Sequence, residues 1–207
     1  YYVNPNRIHK IPNPYDFDEI ERLSNKIPSK KEKELLKKDY FLSIGRLHPQ
    51  KNFPFIINVF KNIVSTKKYG NLKLYILGDG RDRLKLERQI NSLNLTNKVK
   101  LLGFKNNPFI YMKKCKLFIL SSIYEGHSNV LIHSQYLNNR IFASSAGGAN
   151  DEVLSSNGVV FNSNDPIKVS NLVQQSLQSK KKNISKIKLL KKFSDKNITH
   201  KIEKLLD

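Results

Sequence analysis

Cysteine occurs once in the sequence, at Cys115. No intrachain disulfide is therefore possible, and a reducing compartment is the default. No apolar run approaches the roughly 18–20 residues that a membrane-spanning helix needs, and no signal-peptide pattern opens the chain. Methionine also occurs once, at Met112, and residue 1 is Tyr1. The chain thus lacks an initiator methionine and reads as a fragment, an excised domain or a processed product. No internal repeat is visible. Acidic residues are scarce, with 17 Asp and Glu against 37 Lys and Arg and a formal net charge of +20.

A field of that sign attracts nucleic acid, anionic membrane surfaces or phosphorylated ligands. The lysines are spread over the whole chain, however, and the composition is rich in Lys, Asn and Ile. Compositional bias and solvation are the preferred source of the charge. No recognised RNA- or DNA-binding motif is present, and the lysines do not alternate with an aromatic platform. Nucleic acid is not an expected partner. The 207 residues suffice for one ordinary α/β domain with extensions, and the 39% hydrophobic content is low but compatible with a packed core.

From Asp39 the pattern becomes regular. Strands are expected at Tyr40–Ile44, Leu72–Leu77, Lys98–Leu102, Leu117–Leu120, Arg140–Ser144 and Gly158–Phe161. Between them lie helices from Pro54 to about Ser65, from the Gly78-Asp79-Gly80 turn to about Leu93, at Pro108–Cys115 and from about Asn129 to Leu137. A short helical turn is expected at Asp151–Leu154, and Asp165-Pro166 signals the start of a further helix. Strands alternating with helices at this spacing predict an α/β, Rossmann-like layered domain, with a parallel sheet of about six strands and helices on both faces.

The expected organisation is a lead-in or linker over residues 1–38, a ligand-binding domain over residues 39–178, and a Lys-rich C-terminal helical extension over residues 179–207. The lead-in holds a short extended segment, Arg7–Ile11, closed by Pro12-Asn13-Pro14. A charged, weakly helical and solvated segment follows from Asp16 to Lys38, broken at Pro28. In the extension, Ile187, Leu189, Leu190, Phe193, Ile198, Ile202, Leu205 and Leu206 sit among lysines. The preferred reading is one or two helices packing one face on the body; the other is a basic amphipathic surface touching anionic lipid.

In open parallel sheets, ligands bind outside the carboxyl ends of the strands. The loops there are Gly45-Arg46-Leu47-His48-Pro49-Gln50-Lys51, Gly78-Asp79-Gly80, Gly103-Phe104-Lys105, Tyr124-Glu125-Gly126-His127-Ser128 and Ala146-Gly147-Gly148. Each contains glycine, which admits close backbone approach, and two carry cations suited to phosphate. The helix beginning near Ser128-Asn129 offers unpaired N–H groups and the positive end of its dipole, a natural phosphate site. His133, one turn in, either points back toward the loop mouth or is a partly buried structural histidine. The residues alone favour the second reading. Together the loops predict a phosphate-bearing ligand.

The run Phe41–Asn52 resembles the Gly-Arg-Leu…Lys-(Gly/Asn) signature of retaining glycosyltransferases of family four, which have the two-domain GT-B fold. Leu77-Gly78-Asp79-Gly80 and Val99–Gly103 resemble the next two strand ends of that family. Ser121–Ile132 resembles its S…EG…NVL(I/L) run, Gly147–Leu154 its Gly-rich turn with a following Glu, and Ile11-Pro12-Asn13-Pro14 the turn before its C-terminal domain. The resemblance spans about Ile8 to Leu177 and implies the donor-binding, C-terminal half of such an enzyme.

By that resemblance Gly45, Arg46, Lys51, Asn129, Val130 and Leu131 bind the donor diphosphate. Glu125, with a catalytic role, Gly126 and His127 lie at the donor sugar, and Gly78, Gly103 and position 133 at the nucleotide. The implied substrates are a nucleotide sugar, such as a UDP-sugar, and a glycan or lipid-linked acceptor of bacterial lipopolysaccharide or capsule biosynthesis. The acceptor would need an N-terminal domain, from the same gene or a separate chain. The implied location is cytoplasmic, at the inner face of the membrane, with peripheral contact to anionic lipid. Cations and N–H dipoles stabilise the leaving diphosphate in such a scheme, so no cofactor and no metal are expected. The one D-x-D, Asp16-Phe17-Asp18, lies in the lead-in and would by itself make a weak magnesium site.

The sequence departs from the family pattern at two points. His133 stands where the second Glu of E-x7-E would fall, and a histidine cannot accept from two ribose hydroxyls as a carboxylate can. His127 replaces the usual aromatic after Glu-Gly. The alternative expectation, favoured by His133 and by the missing N-terminal half, is a truncated, catalytically inactive remnant that folds without turning over.

Overall fold

The structure is a computed structural model that describes residue 9 and residues 11–137, 139–145, 158–162, 164–180 and 186–206. The expected extended segment at Arg7–Ile11 falls largely outside these residues. The Gly147-Gly148 turn and the helical turn at Asp151–Leu154 fall wholly outside them.

Six parallel strands, β1 (Tyr40–Ile44), β2 (Lys73–Leu77), β3 (Val99–Gly103), β4 (Leu117–Leu120), β5 (Ile141–Ser144) and β6 (Gly158–Phe161), form one sheet in the order β3-β2-β1-β4-β5-β6. Each strand lies within a residue of its expected place. The strands are short apolar runs because both faces are covered, as parallel sheets require. Their side chains alternate between two cores with the period of two that strand geometry imposes. Phe41, Leu74, Ile76, Leu117, Ile119 and Phe142 enter one core, and Tyr40, Leu42, Tyr75, Leu77, Phe118, Leu120 and Ile141 the other.

The first core is closed by α3 (Phe53–Val64), α4 (Arg83–Ser92) and α7 (Pro166–Gln178), through Phe60, Ile63, Leu86, Ile90, Val169 and Val173. Asp165 caps α7 by accepting from the N–H groups of Ile167 and Lys168. The second core is closed by α1 (Phe17–Ser24), α2 (Lys30–Leu36), α5 (Phe109–Lys114), α6 (Asn129–Tyr136) and α8 (Lys186–Phe193). A Phe, Leu or Ile buried in either layer contributes about 1.5–3 kcal/mol relative to exposure.

The segment Asp16–Lys38 differs from the solvated lead-in that its charge suggested. It folds into α1 and α2, which bury Phe17, Ile20 and Leu36 in the second core. Asp16, the first residue of the D-x-D, accepts the Glu19 N–H at 2.8 Å as the helix cap. Ser29 and Glu32 form a reciprocal capping box on α2, and Pro28 falls in the turn between the helices. Tyr15 is 6% exposed. Its N–H donates to Phe193 O at 2.9 Å and its carbonyl accepts from Asp195 N at 3.1 Å, which ties the leading segment to the chain's last helices.

Those last helices are α8 and α9 (Asp195–Leu206). Leu189, Phe193 and Ile198 are buried, as the packed-face reading expected, whereas Ile202 and Leu205 are 38% and 40% exposed. Among the described residues no helix is long and apolar enough to cross a membrane.

Candidate functional site

The order β3-β2-β1-β4-β5-β6 places a topological switch between β1 and β4, where successive crossovers leave in opposite directions. A cleft of about 370 Å³ opens there, at the carboxyl ends of those two strands. One wall is the loop after β1, with Gly45, Arg46, His48, Gln50 and Lys51. The other is the loop after β4 and the start of α6, with Glu125, His127, Ser128, Asn129 and Val130.

The first wall is fixed against its neighbours by backbone. Gly45 N donates to Leu77 O at 3.0 Å, Leu47 N to Asp79 O at 2.9 Å, and Gly78 N to Gly103 O at 2.9 Å. Gly78 and Gly103 have φ of +127° and +71°. A Cβ on Gly78 would sit 2.0 Å from the Gly45 carbonyl oxygen. Gly78 thus has a structural reason to be glycine, the close approach of two loops, and neither it nor Gly103 lines the cleft. Gly45 does line it, and a Cβ there would meet the Lys51 side chain at 3.2 Å, so the missing side chain makes room for the lysine stem.

Across the cleft, Lys51 Nζ forms an ion pair with Glu125 Oε1. Their side chains are only 17% and 8% exposed. Ser122 Oγ donates to the same carboxylate oxygen at 2.6 Å. Ser121 Oγ bonds the carbonyls of Lys51 and Asn52 at 2.8 and 2.9 Å. Ile123 N donates to Gln50 O at 2.8 Å, and Gln50 Nε2 to Tyr124 O at 2.9 Å. Sequence reasoning missed Ser121, Ser122 and Gln50, although all three lie inside stretches it had singled out. Arg46 is exposed on the rim, and its guanidinium has no hydrogen bond or ion pair among the described residues. Because Lys51 balances Glu125, the cleft presents to a ligand the Arg46 charge and the positive end of α6.

The α6 N-terminus is open. Its N-cap, Ser128, makes no side-chain bond to the helix. Ser128 Oγ is buried without a hydrogen-bond partner among the described residues. The Leu131 and Ile132 N–H groups bond Ser128 O at 3.0 and 3.5 Å, so the N–H groups of Asn129 and Val130 stand ahead of the intrahelical ladder. Leu131 itself is fully buried, with its N–H used in the helix and its side chain in the second core. It does not line the cleft. Gly126 is exposed, with open space around its Cα.

His133 lies behind the cleft. Its ring meets Tyr15 and Phe109 edge-on, at 5.4 and 5.2 Å between centroids. Burial lowers its pKa to about 4, so the imidazole is neutral at physiological pH. His127 lines the cleft, with its ring 6.3 Å from Tyr15 and 5.9 Å from Phe193. Among the described residues no group of three or more His, Cys, Asp or Glu could hold a metal ion.

Residues 25–204 match the family described as glycosyl transferases, group 1. The chain is 42% identical over 134 residues to an uncharacterized glycosyltransferase of Methanocaldococcus jannaschii, covering 64% of this chain and 32% of that protein. It is 46% identical over 99 residues to the N-acetylgalactosamine-N,N'-diacetylbacillosaminyl-diphospho-undecaprenol 4-alpha-N-acetylgalactosaminyltransferase of Campylobacter jejuni, covering 48% and 26%. It is 29% identical over 212 residues to the UDP-Gal:alpha-D-GlcNAc-diphosphoundecaprenol alpha-1,3-galactosyltransferase of Escherichia coli, covering 100% of this chain and 54% of that one. The chain therefore spans about half, or less, of the length of these curated relatives. Among solved structures it superposes on Anabaena HepE in complex with UDP and glucose with a TM-score of 0.79 at 22% identity, over 95% of this chain and 55% of that one. It superposes on a glycosyltransferase from Rickettsia africae with a TM-score of 0.81 at 16% identity, over 99% and 59%. The fold is that of a GT-B glycosyltransferase domain.

Proposed function

The chain belongs to the group 1 glycosyl transferases, and from that premise we propose that it is the donor-binding half of a retaining, family-four enzyme. The cleft between β1 and β4 would hold the diphosphate of a nucleotide-sugar donor. The observation that carries this reading is the convergence there of Arg46, Lys51, Glu125 and the open N-terminus of α6. Breaking a sugar–diphosphate bond leaves negative charge on the diphosphate and oxocarbenium character on the sugar. Arg46 and the Asn129 and Val130 N–H groups meet the first requirement, with Lys51 shared between Glu125 and the diphosphate. In this role they supply the neutralisation that a divalent cation would otherwise give, and no metal is required. Glu125, paired with Lys51, acts as an ionised carboxylate that orients a sugar hydroxyl and faces the developing positive charge.

A UDP-sugar is the preferred donor, because the Anabaena neighbour was crystallised with UDP and glucose and the Escherichia coli relative is named for UDP-Gal. A lipid-linked saccharide is the preferred acceptor, because the Campylobacter and Escherichia relatives are named for diphosphoundecaprenol acceptors. Such an acceptor would hold the enzyme at the cytoplasmic face of a membrane, with an acceptor-binding domain completing the site. The test is calorimetric titration of the chain with UDP and with GDP. We expect UDP to bind, and Arg46→Ala to weaken it about tenfold by removing a charge-assisted hydrogen bond.

One observation favours a second reading, a domain that folds without supporting turnover. His133 is neutral and enclosed by Tyr15 and Phe109, which leaves the ribose hydroxyls without the carboxylate that the family pattern supplies. Absence of UDP or GDP binding at millimolar concentration would select this second reading.

A further inference from the structure

Asn129 lines the cleft at the first position of α6, and its side-chain oxygen is already taken. Tyr15 Oη donates to Asn129 Oδ1 at 2.7 Å, and Asn13 Nδ2 donates to the same oxygen at 3.0 Å. An amide has one oxygen that accepts and one NH2 that donates. With its oxygen engaged by these two donors, the NH2 is the part of the Asn129 amide left to meet a ligand. Both donors come from a segment more than a hundred residues away in the chain.

That segment is held in turn by the C-terminal helices. The Tyr15 backbone bonds Phe193 O and Asp195 N on either side of the α8–α9 junction. Its ring packs edge-on against Phe193 and His133, at centroid distances of 6.2 and 5.4 Å. The Tyr15 phenol is protonated at neutral pH and donates, and burial pushes its pKa further up, to about 12.

We propose that Tyr15, assisted by Asn13, is a positioning residue that fixes the Asn129 amide with its NH2 toward the donor diphosphate. The C-terminal helix pair acts in this arrangement as the support that holds Tyr15 in place. The inference rests on the donor-diphosphate reading of the cleft. It adds to that reading a residue with no contact of its own to the ligand, and it gives α8 and α9 a task at the site.

The experiment is a double-mutant cycle on the full chain, with UDP affinity read by calorimetry and folding by thermal unfolding. Tyr15→Phe keeps the ring and its packing but removes the hydroxyl. It is expected to weaken UDP binding about fivefold, the worth of one hydrogen bond. Asn129→Ala should weaken it about tenfold, and in that background Tyr15→Phe should have no further effect. A purely structural role for Tyr15 would lower affinity equally in both backgrounds, and that result overturns the proposal. So does unchanged affinity in Tyr15→Phe. If Tyr15→Phe fails to fold, Asn13→Ala, on the exposed side of the same oxygen, replaces it in the cycle with an expected loss of about twofold. Arg46→Ala separates the two levels. If it weakens UDP binding while the Tyr15 cycle shows no coupling, only the positioning role falls. If the wild-type chain binds no UDP, the donor reading falls and this proposal with it.

Discussion

On the β1 side of the cleft the wall is backbone against backbone. Gly45 and Leu47 bond Leu77 O and Asp79 O, and Gly78 and Gly80 approach the carbonyls of Gly45 and Leu47 so closely that a Cβ would lie 2.0 and 2.5 Å away. On the β4 side one backbone bond, Ile123 N to Gln50 O, is joined by side chains that do most of the holding: Glu125 by Lys51 and Ser122, the loop by Ser121, and Asn129 by Tyr15 and Asn13. A wall of packed backbone has no room to yield and little chemistry to lose. A wall of side-chain pairs can lose a partner and keep its shape. Changes at the packed backbone of the first side should therefore register mainly as stability, and changes in the side chains that face the cleft mainly as ligand binding.

The largest effect should follow Gly78→Ala. The added methyl would overlap the Gly45 carbonyl, and a φ of +127° is itself strained for any residue with a Cβ. We expect more than about 3 kcal/mol of lost stability, combining steric overlap with backbone strain. Urea unfolding is the readout, and a midpoint near wild type would mean that the two loops are free to part.

Lys51→Ala removes the side chain that reaches from the β1 loop to hold Glu125 on the other wall. In a protein that joins this chain to an acceptor-binding domain it should cost about 2–4 kcal/mol of transition-state stabilisation, comparable to removing an oxyanion donor. It also leaves the Glu125 carboxylate, 8% exposed, with Ser122 as its remaining partner, which should lower stability as well. The double variant Lys51→Ala, Glu125→Gln discriminates between the two effects. Removing the orphaned charge should restore most of the stability and none of the activity. Recovery of both would move Lys51 from the ligand to the scaffold.

His133 gives a pH-dependent contrast behind the same wall. Its pKa is lowered from an ordinary 6.5 to about 4 by burial. Between those values the unfolded chain binds a proton that the folded chain refuses, so the stability this site contributes is complete above about 6.5 and is lost as pH falls toward 4. The loss should reach at most about 3 kcal/mol. Thermal unfolding across that range should show it in the wild type, with a flatter profile in His133→Gln. An equal slope in both would mean that His133 is solvated.

How far these contrasts could be read from the sequence differs between the walls. The strands were legible to within a residue, because they are short, largely apolar runs, and β1, β2 and β3 end at or next to a glycine (Gly45, Gly78, Gly103). Arg46, Lys51, Glu125 and the start of α6 were legible as a group, since all stand at strand ends. Their pairing was not, because which loops face one another depends on the sheet order. Gly78 and Gly103 were read as making room for a ligand, when the nearer cause is the neighbouring loop and the turn of the chain. The residues from Asp16 to Lys38 looked solvated because charge outweighs three buried apolar positions. The caps at Asp16 and at Ser29 with Glu32 were the signals that two helices begin there. Nothing local could have linked Tyr15 to Asn129.

The smallest expected effect is also the sharpest test of the side-chain wall. Ser122 is 1% exposed and donates to Glu125 Oε1 at 2.6 Å, while its backbone carbonyl accepts from Ser144 Oγ, also at 2.6 Å. Ser122→Ala removes only the first of these bonds and adds no volume. A hydrogen bond to a charged group is worth about 1.5–3 kcal/mol where nothing replaces it, but here Lys51 still holds the same oxygen. The net loss of stability should be about 1 kcal/mol. If the wall works through fixed side chains, UDP-sugar affinity should fall severalfold while UDP affinity stays level, because Glu125 is read as facing the sugar and not the diphosphate. An equal fall for both ligands would place Glu125 at the phosphates and reverse the assignment of the two ends of the cleft.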